Sequence, residues 1–136
     1  MENKLTKNRK IPFLNLSKQY EQIKGEVLPA VEKVFEQNAF TNGYSVKSFE
    51  DNFASFCETN YSIAVNNGTS ALHLAVEALG IGQGDEVIIP ANTFIATAWA
   101  PAYVKATPVF VDCDPDTWQI DPAKIEAKIN SKTKAI

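Results

Sequence analysis

Apolar positions recur along this chain with two periods, and the switches between them mark its elements. Tyr20, Ile23, Val27, Val31 and Val34 keep helical spacing to about Gln37, with Ser17 as the expected cap and Pro29 as an expected kink. The apolar run Ile11 to Leu16 ahead of them reads as extended, because Pro12 disfavours helix at its neighbour. Phe40-Thr41-Asn42-Gly43 is a turn, after which Val46, Phe49, Phe53 and Phe56 predict a second amphipathic helix. Its aromatic stripe is expected in the core rather than around a ligand.

The pattern then begins to alternate. Ile63 to Val65 is a short apolar run, predicted as a strand, and Asn66-Asn67-Gly68 is turn chemistry. Leu72, Val76 and Leu79 return to helical spacing, and Gly80 supplies the stop. Glu86-Val87-Ile88-Ile89-Pro90 predicts a strand, and Phe94 to Ala100 an Ala-rich helix ending near Pro101 to Val104. Thr107 to Asp112 predicts another strand. Asp121-Pro122 opens a further helix, a cap followed by proline, with Ile125 and Ile129 facing inward. Lys134-Ala135-Ile136 looks like the start of one more strand. Such alternation predicts an α/β fold, a mainly parallel sheet with helices on both faces. Ligands in such sheets sit at the carboxyl ends of strands, where Asn67-Gly68-Thr69-Ser70 and Asn92-Thr93-Phe94 both fall.

Composition narrows the function classes. The 136 residues suffice for one domain, and 45% hydrophobic with 21% charged is globular. A net charge of −3 argues against a nucleic-acid surface. Lys4, Lys7, Arg9 and Lys10 form a small basic tail, expected to be flexible over residues 1–10. The apolar run after it is too short for a signal peptide, and no run reaches membrane length. A soluble, cytoplasmic protein without a membrane partner is the expectation. Cys57 and Cys113 belong to no Cys/His cluster and are expected as buried thiols.

Two turns carry the candidate chemistry. A helix start at Gly68-Thr69-Ser70 presents free N–H groups, the positive end of the dipole and two hydroxyls, which suits a phosphate. The first acid after Thr69 is Glu77, so no first-turn carboxylate competes with an external anion. Thr69 capping an ordinary helix is the competing reading. Phe94 adds a flat ring, and a phosphate cradle beside a ring fits a phosphorylated aromatic cofactor. Asp112-Cys113-Asp114-Pro115-Asp116 invites a calcium loop. The sixth and twelfth positions, Thr117 and Ala123, lack the required Gly and Glu, so no metal is expected and a turn capped by its own Asp side chains is. His73, the only histidine, reads as structural. No Gly-x-Gly-x-x-Gly or Walker lysine supports a plain nucleotide binder.

Three blocks in register carry a resemblance: Asn67 to Ala75, Gly80 to Ile88, and Pro90 to Thr97. With Ile11 to Leu16, Tyr20, Phe40 to Gly43 and Pro108 to Asp112, they resemble the DegT/DnrJ/EryC1/StrS family of sugar aminotransferases, which use pyridoxal 5'-phosphate (PLP) on fold type I. The resemblance implies that residues 11–136 form the N-terminal part of the large, PLP-binding domain. It assigns Gly68, Thr69 and Ser70 to the cofactor phosphate and Phe94 to the pyridine ring. It further implies a nucleotide-linked keto-sugar substrate in amino-sugar or polysaccharide biosynthesis, an amino-acid donor and a homodimer. The family's Schiff-base lysine and small C-terminal domain are expected beyond Ile136, so no catalytic residue is assigned here, and the chain alone is expected to be inactive. Two alternatives stay open: a PLP-dependent sugar dehydratase of the same family, and a non-catalytic fragment.

Overall fold

The computed structural model describes residues 11–136, and the tail expected over 1–10 lies outside them. The described residues divide into two compact units, the first ending at Ala64 and the second spanning Val65–Ile136.

The first unit holds α1 (Ser17–Glu36) and α2 (Tyr44–Phe56). Leu16 rather than Ser17 occupies the cap position of α1, and the Ser17 N–H instead donates to Asn15 Oδ1 at 3.0 Å. Between the helices Asn38 and Asn42 sit at φ 51° and 49°, a region that asparagine tolerates better than most side chains. Gly43 caps α2 under steric constraint: a Cβ there would stand 2.5 Å from the Ala39 carbonyl oxygen. The aromatic stripe of α2 is not core. Phe49, Phe53 and Phe56 are 53%, 47% and 83% exposed. Their spacing places them side by side on one face, with ring centroids 5.5 Å apart for Phe49 and Phe53 and 6.3 Å for Phe53 and Phe56. They shield one another instead of filling an interior. Glu50, on the same helix, accepts a hydrogen bond from the Ala64 N–H at 2.9 Å.

Ile63 to Val65 forms no strand, contrary to its apolar pattern. An apolar run supplies side chains for a strand, but only a neighbouring backbone makes it one. Among the described residues none pairs with it, and Ile63 stays 82% exposed. The thiols also differ from expectation. Cys57 ends α2 in an exposed position, and Cys113 is half-buried on an isolated bridge to Ile120.

The second unit is built on β1 (Glu86–Pro90), flanked by β2 (Thr107–Val111) and β3 (Thr133–Ala135) in the order β2-β1-β3, both pairings parallel. Val87, Ile88 and Ile89 are buried in succession, which explains why β1 reads as continuously apolar: both faces of a central parallel strand are covered. Val87 and Ile89 join Ile81, Ala98 and Ala106 in one apolar cluster. This is the α/β architecture expected.

α3 (Gly68–Ala78) and α4 (Ala96–Tyr103) pack on each other. α3 ends where the sequence stops it. Gly80 takes φ 70°, its N–H bonds to the Glu77 carbonyl, and the Ile81 N–H reaches the Val76 carbonyl. Paired bonds of this kind close a Schellman motif, with Val76 and Ile81 supplying its apolar contact. α4 ends at Tyr103 with Val104 as its cap, inside the Pro101 to Val104 span expected, and carries the buried Pro101 ring in its last turn. α5 (Pro122–Ile125) is capped by Asp121, whose Oδ1 accepts the Ala123 N–H at 3.0 Å, and tightens into a 3-10 turn over Glu126–Lys128. Ile129 lies past that turn and is exposed, so only Ile125 of the expected pair is half-buried. No helix among the described residues is long and apolar enough to cross a membrane.

Candidate functional site

The site grows from the start of α3. Asn67 adopts an extended backbone and its Oδ1 accepts the Ser70 N–H at 2.8 Å, so Asn67, not Thr69, is the cap. That bond takes one of the first N–H groups of the helix. The N–H groups of Gly68 and Thr69, and the Thr69 hydroxyl, meet no acceptor among the described residues. No acid occupies the first turn. Two amides and a hydroxyl without partners among the described residues therefore sit at the positive end of an eleven-residue helix.

Phe94 reaches the same place from the loop that follows β1. The Thr93 and Thr97 hydroxyls bond to each other at 2.8 Å, and the Thr97 N–H donates to the Phe94 carbonyl at 3.0 Å, which fixes this loop onto the start of α4. The Phe94 ring is 72% exposed. Gly68, Thr69, Leu72, Phe94, Ala96 and Thr97 line one open cavity of about 480 Å³. Its wall is mostly apolar, with the amide-bearing turn at one side. Gly68 leaves room in it, since an added Cβ there would meet no protein atom within 4 Å.

Ser70 does not line this cavity, and its amide is given to Asn67. His73 lies farther along α3, edge-on to the Tyr103 ring at 5.1 Å and with Nε2 4.0 Å from Glu77 Oε2. The lining includes no lysine. Thr97 lines the cavity without having been singled out in the sequence, and Asn67, beside the cavity, caps α3 in the place assigned to Thr69. Asn67 was detectable, because asparagine just before a helix is among the strongest caps. Thr97 looked like one more residue of an Ala-rich helix.

The Asp-rich segment stands apart. Asp114 Oδ1 accepts the Thr117 N–H at 2.8 Å, the Thr117 hydroxyl at 3.0 Å and the Asp116 N–H at 3.0 Å. These bonds hold its carboxyl below the ordinary value. Asp112 is lowered by the Cys113 N–H and then by Lys124, whose own pKa is raised by Asp112 and then Asp121. The carboxylates thus cap their own loop, as the turn reading expects.

The sequence model of the DegT/DnrJ/EryC1/StrS aminotransferase family matches residues 21–136. A dTDP-3-amino-3,6-dideoxy-alpha-D-galactopyranose transaminase from Aneurinibacillus thermoaerophilus is 47% identical over 126 residues, covering 93% of this chain and 35% of that protein. The crystal structure of DesV from Streptomyces venezuelae superposes with a TM-score of 0.86 at 40% identity, over 91% of this chain and 33% of DesV. Bacillus subtilis NtdA, solved with bound cofactor PMP, gives a TM-score of 0.85 at 37% identity, over 95% of this chain and 31% of NtdA. The chain spans about a third of the length of the relatives it matches. It belongs to the DegT/DnrJ/EryC1/StrS aminotransferase family.

Proposed function

We propose that this chain is the cofactor-holding part of a PLP-dependent aminotransferase acting on a nucleotide-linked keto-sugar, with an amino acid as donor. The observation that carries the reading is one cavity lined both by Gly68 and Thr69, whose amides and hydroxyl meet no partner among the described residues, and by the exposed Phe94. Those groups fit a phosphorylated aromatic ring in kind. The Gly68 and Thr69 N–H groups and the Thr69 hydroxyl donate to the phosphate, assisted by the helix dipole. Ser70, with its amide committed to Asn67, has its hydroxyl left to contribute. Phe94 stacks on the pyridine ring and fixes its plane. Bound PLP supplies an electron sink for charge developing beside the transferred nitrogen. With no lysine in the lining, the residues of this chain bind and orient, and amino transfer draws on groups outside the cavity wall. The sugar class follows relatives whose names specify amino-sugar transaminases. A homodimer working in the cytoplasm completes the proposal.

Titrating PLP into the complete protein and its Thr69→Val variant tests the site. One lost charge-assisted bond is worth about 1.5–3 kcal/mol, so affinity should fall roughly tenfold or more. Equal affinity of the two proteins would refute the phosphate assignment.

A further inference from the structure

We propose that Asn67 is a positioning residue whose uncharged cap keeps the α3 start open to a dianionic phosphate. The inference rests on the function proposed above and deepens it. Asn67 Oδ1 holds the Ser70 N–H at 2.8 Å, while its own carbonyl accepts the Ala71 N–H at 3.1 Å to open the helix. By engaging the third amide from within, it leaves those of Gly68 and Thr69, which line the cavity, as the pair without a partner among the described residues. Asn67 therefore sets which donors a phosphate meets, without needing to touch it.

The choice of asparagine has a second consequence. Asn, Asp and Ser cap helices about equally well, because each offers an oxygen to the same amide. Local stability alone gives no reason to prefer Asn. Asp would place a full negative charge within a residue or two of the phosphate-facing amides, where like charges repel and the dipole would already be satisfied. The first turn carries no acid, and the nearest along the helix is Glu77. A neutral cap extends that exclusion of negative charge by one position. The backbone at position 67 is extended, with φ −165° and ψ 167°, so Asp, Ser or Ala enters it without strain.

The test compares Asn67→Asp, Asn67→Ser and Asn67→Ala in the complete protein, reading thermal unfolding of the cofactor-free form and PLP affinity by fluorescence titration at two salt concentrations. Asn67→Asp should unfold at or slightly above the wild-type temperature, bind PLP at least tenfold more weakly and recover part of that loss at high salt. Asn67→Ser should match wild type in both measurements. Asn67→Ala should lose apo stability and affinity together. PLP binding to Asn67→Asp as tight as to wild type overturns the inference, and so does an affinity loss in Asn67→Ser equal to that in Asn67→Asp. In either case Thr69→Val still decides the site itself. A wild-type protein that takes up no PLP overturns both proposals.

Discussion

Replacing Phe94 with alanine separates a ring that binds a cofactor from one that holds the fold. Phe94 is 72% exposed, so roughly a quarter of its surface contacts protein. Of the ~200 Å² such a ring can bury, that share is about 50 Å², and at ~25 cal/mol per Å² its loss costs about 1 kcal/mol. A core phenylalanine would cost ~3–5 kcal/mol. In the PLP complex the ring gains what the free protein leaves open. Covering one face, about a third of the same ~200 Å², contributes ~1.7 kcal/mol, and stacking geometry adds ~0.5–1.5 kcal/mol. The sum, roughly 2.2–3.2 kcal/mol, corresponds to about a 40–220-fold loss of PLP affinity. Thermal unfolding of the apo forms and fluorescence titration with PLP read the two quantities independently. An apo destabilisation above ~3 kcal/mol with unchanged PLP affinity would refute the reasoning.

Three further outcomes follow from other parts of the chain. Gly43→Ala should destabilise the complete protein by ~1–3 kcal/mol in thermal unfolding, since the new Cβ falls 2.5 Å from the Ala39 carbonyl oxygen, and unchanged stability would contradict that packing. Asp112 and Asp114 are depressed below 3.8, so their contribution to the 112–121 loop is present above that pH and is lost as pH falls through their folded values. Lys124, raised above 10.5, contributes fully below that pH and loses its contribution as pH rises through its folded value. Exchange protection of the Thr117 amide should therefore hold across neutral pH and fall only once pH drops below 3.8, and equal protection in Asp114→Ala at neutral pH would count against the capping bonds. Treating the 136-residue chain with PLP and borohydride should label no single lysine stoichiometrically, because none lines the cavity. One fully labelled lysine, located by mass spectrometry, would place the reactive amine within this chain.

Legibility of the fold followed how local its causes are. β1 could be read because a strand covered on both faces is apolar at every position, and the end of α3 because Gly80 is the residue that takes φ 70° without cost. The Asp121-Pro122 start is equally local. Ile63 to Val65 misled because its residues suit a strand but pairing is decided elsewhere in the chain. The stripe Phe49, Phe53 and Phe56 misled for a related reason: periodicity identifies which residues share a helix face, not what covers that face. The end of α4 was legible as well: Pro101 lies in its last turn and the helix stops at Tyr103. At the site, Gly68, Thr69 and Phe94 were legible from residue type and adjacency to helix starts, and the structure brings all three to one cavity. What adjacency did not reveal was the division of amides at the start of α3. Three N–H groups look alike in sequence, and only the Asn67 side chain distinguishes the one it occupies.

A crystal structure of the complete protein with PLP would show whether a phosphorylated pyridine ring is seated between the start of α3 and Phe94. Phosphate oxygens should lie within about 3 Å of the Gly68 and Thr69 nitrogens, with the pyridine ring stacked on Phe94 at ordinary aromatic separation and Asn67 Oδ1 still on the Ser70 amide. A cofactor whose phosphate lies away from Gly68 and Thr69, with the Phe94 ring left uncovered, would contradict that seating.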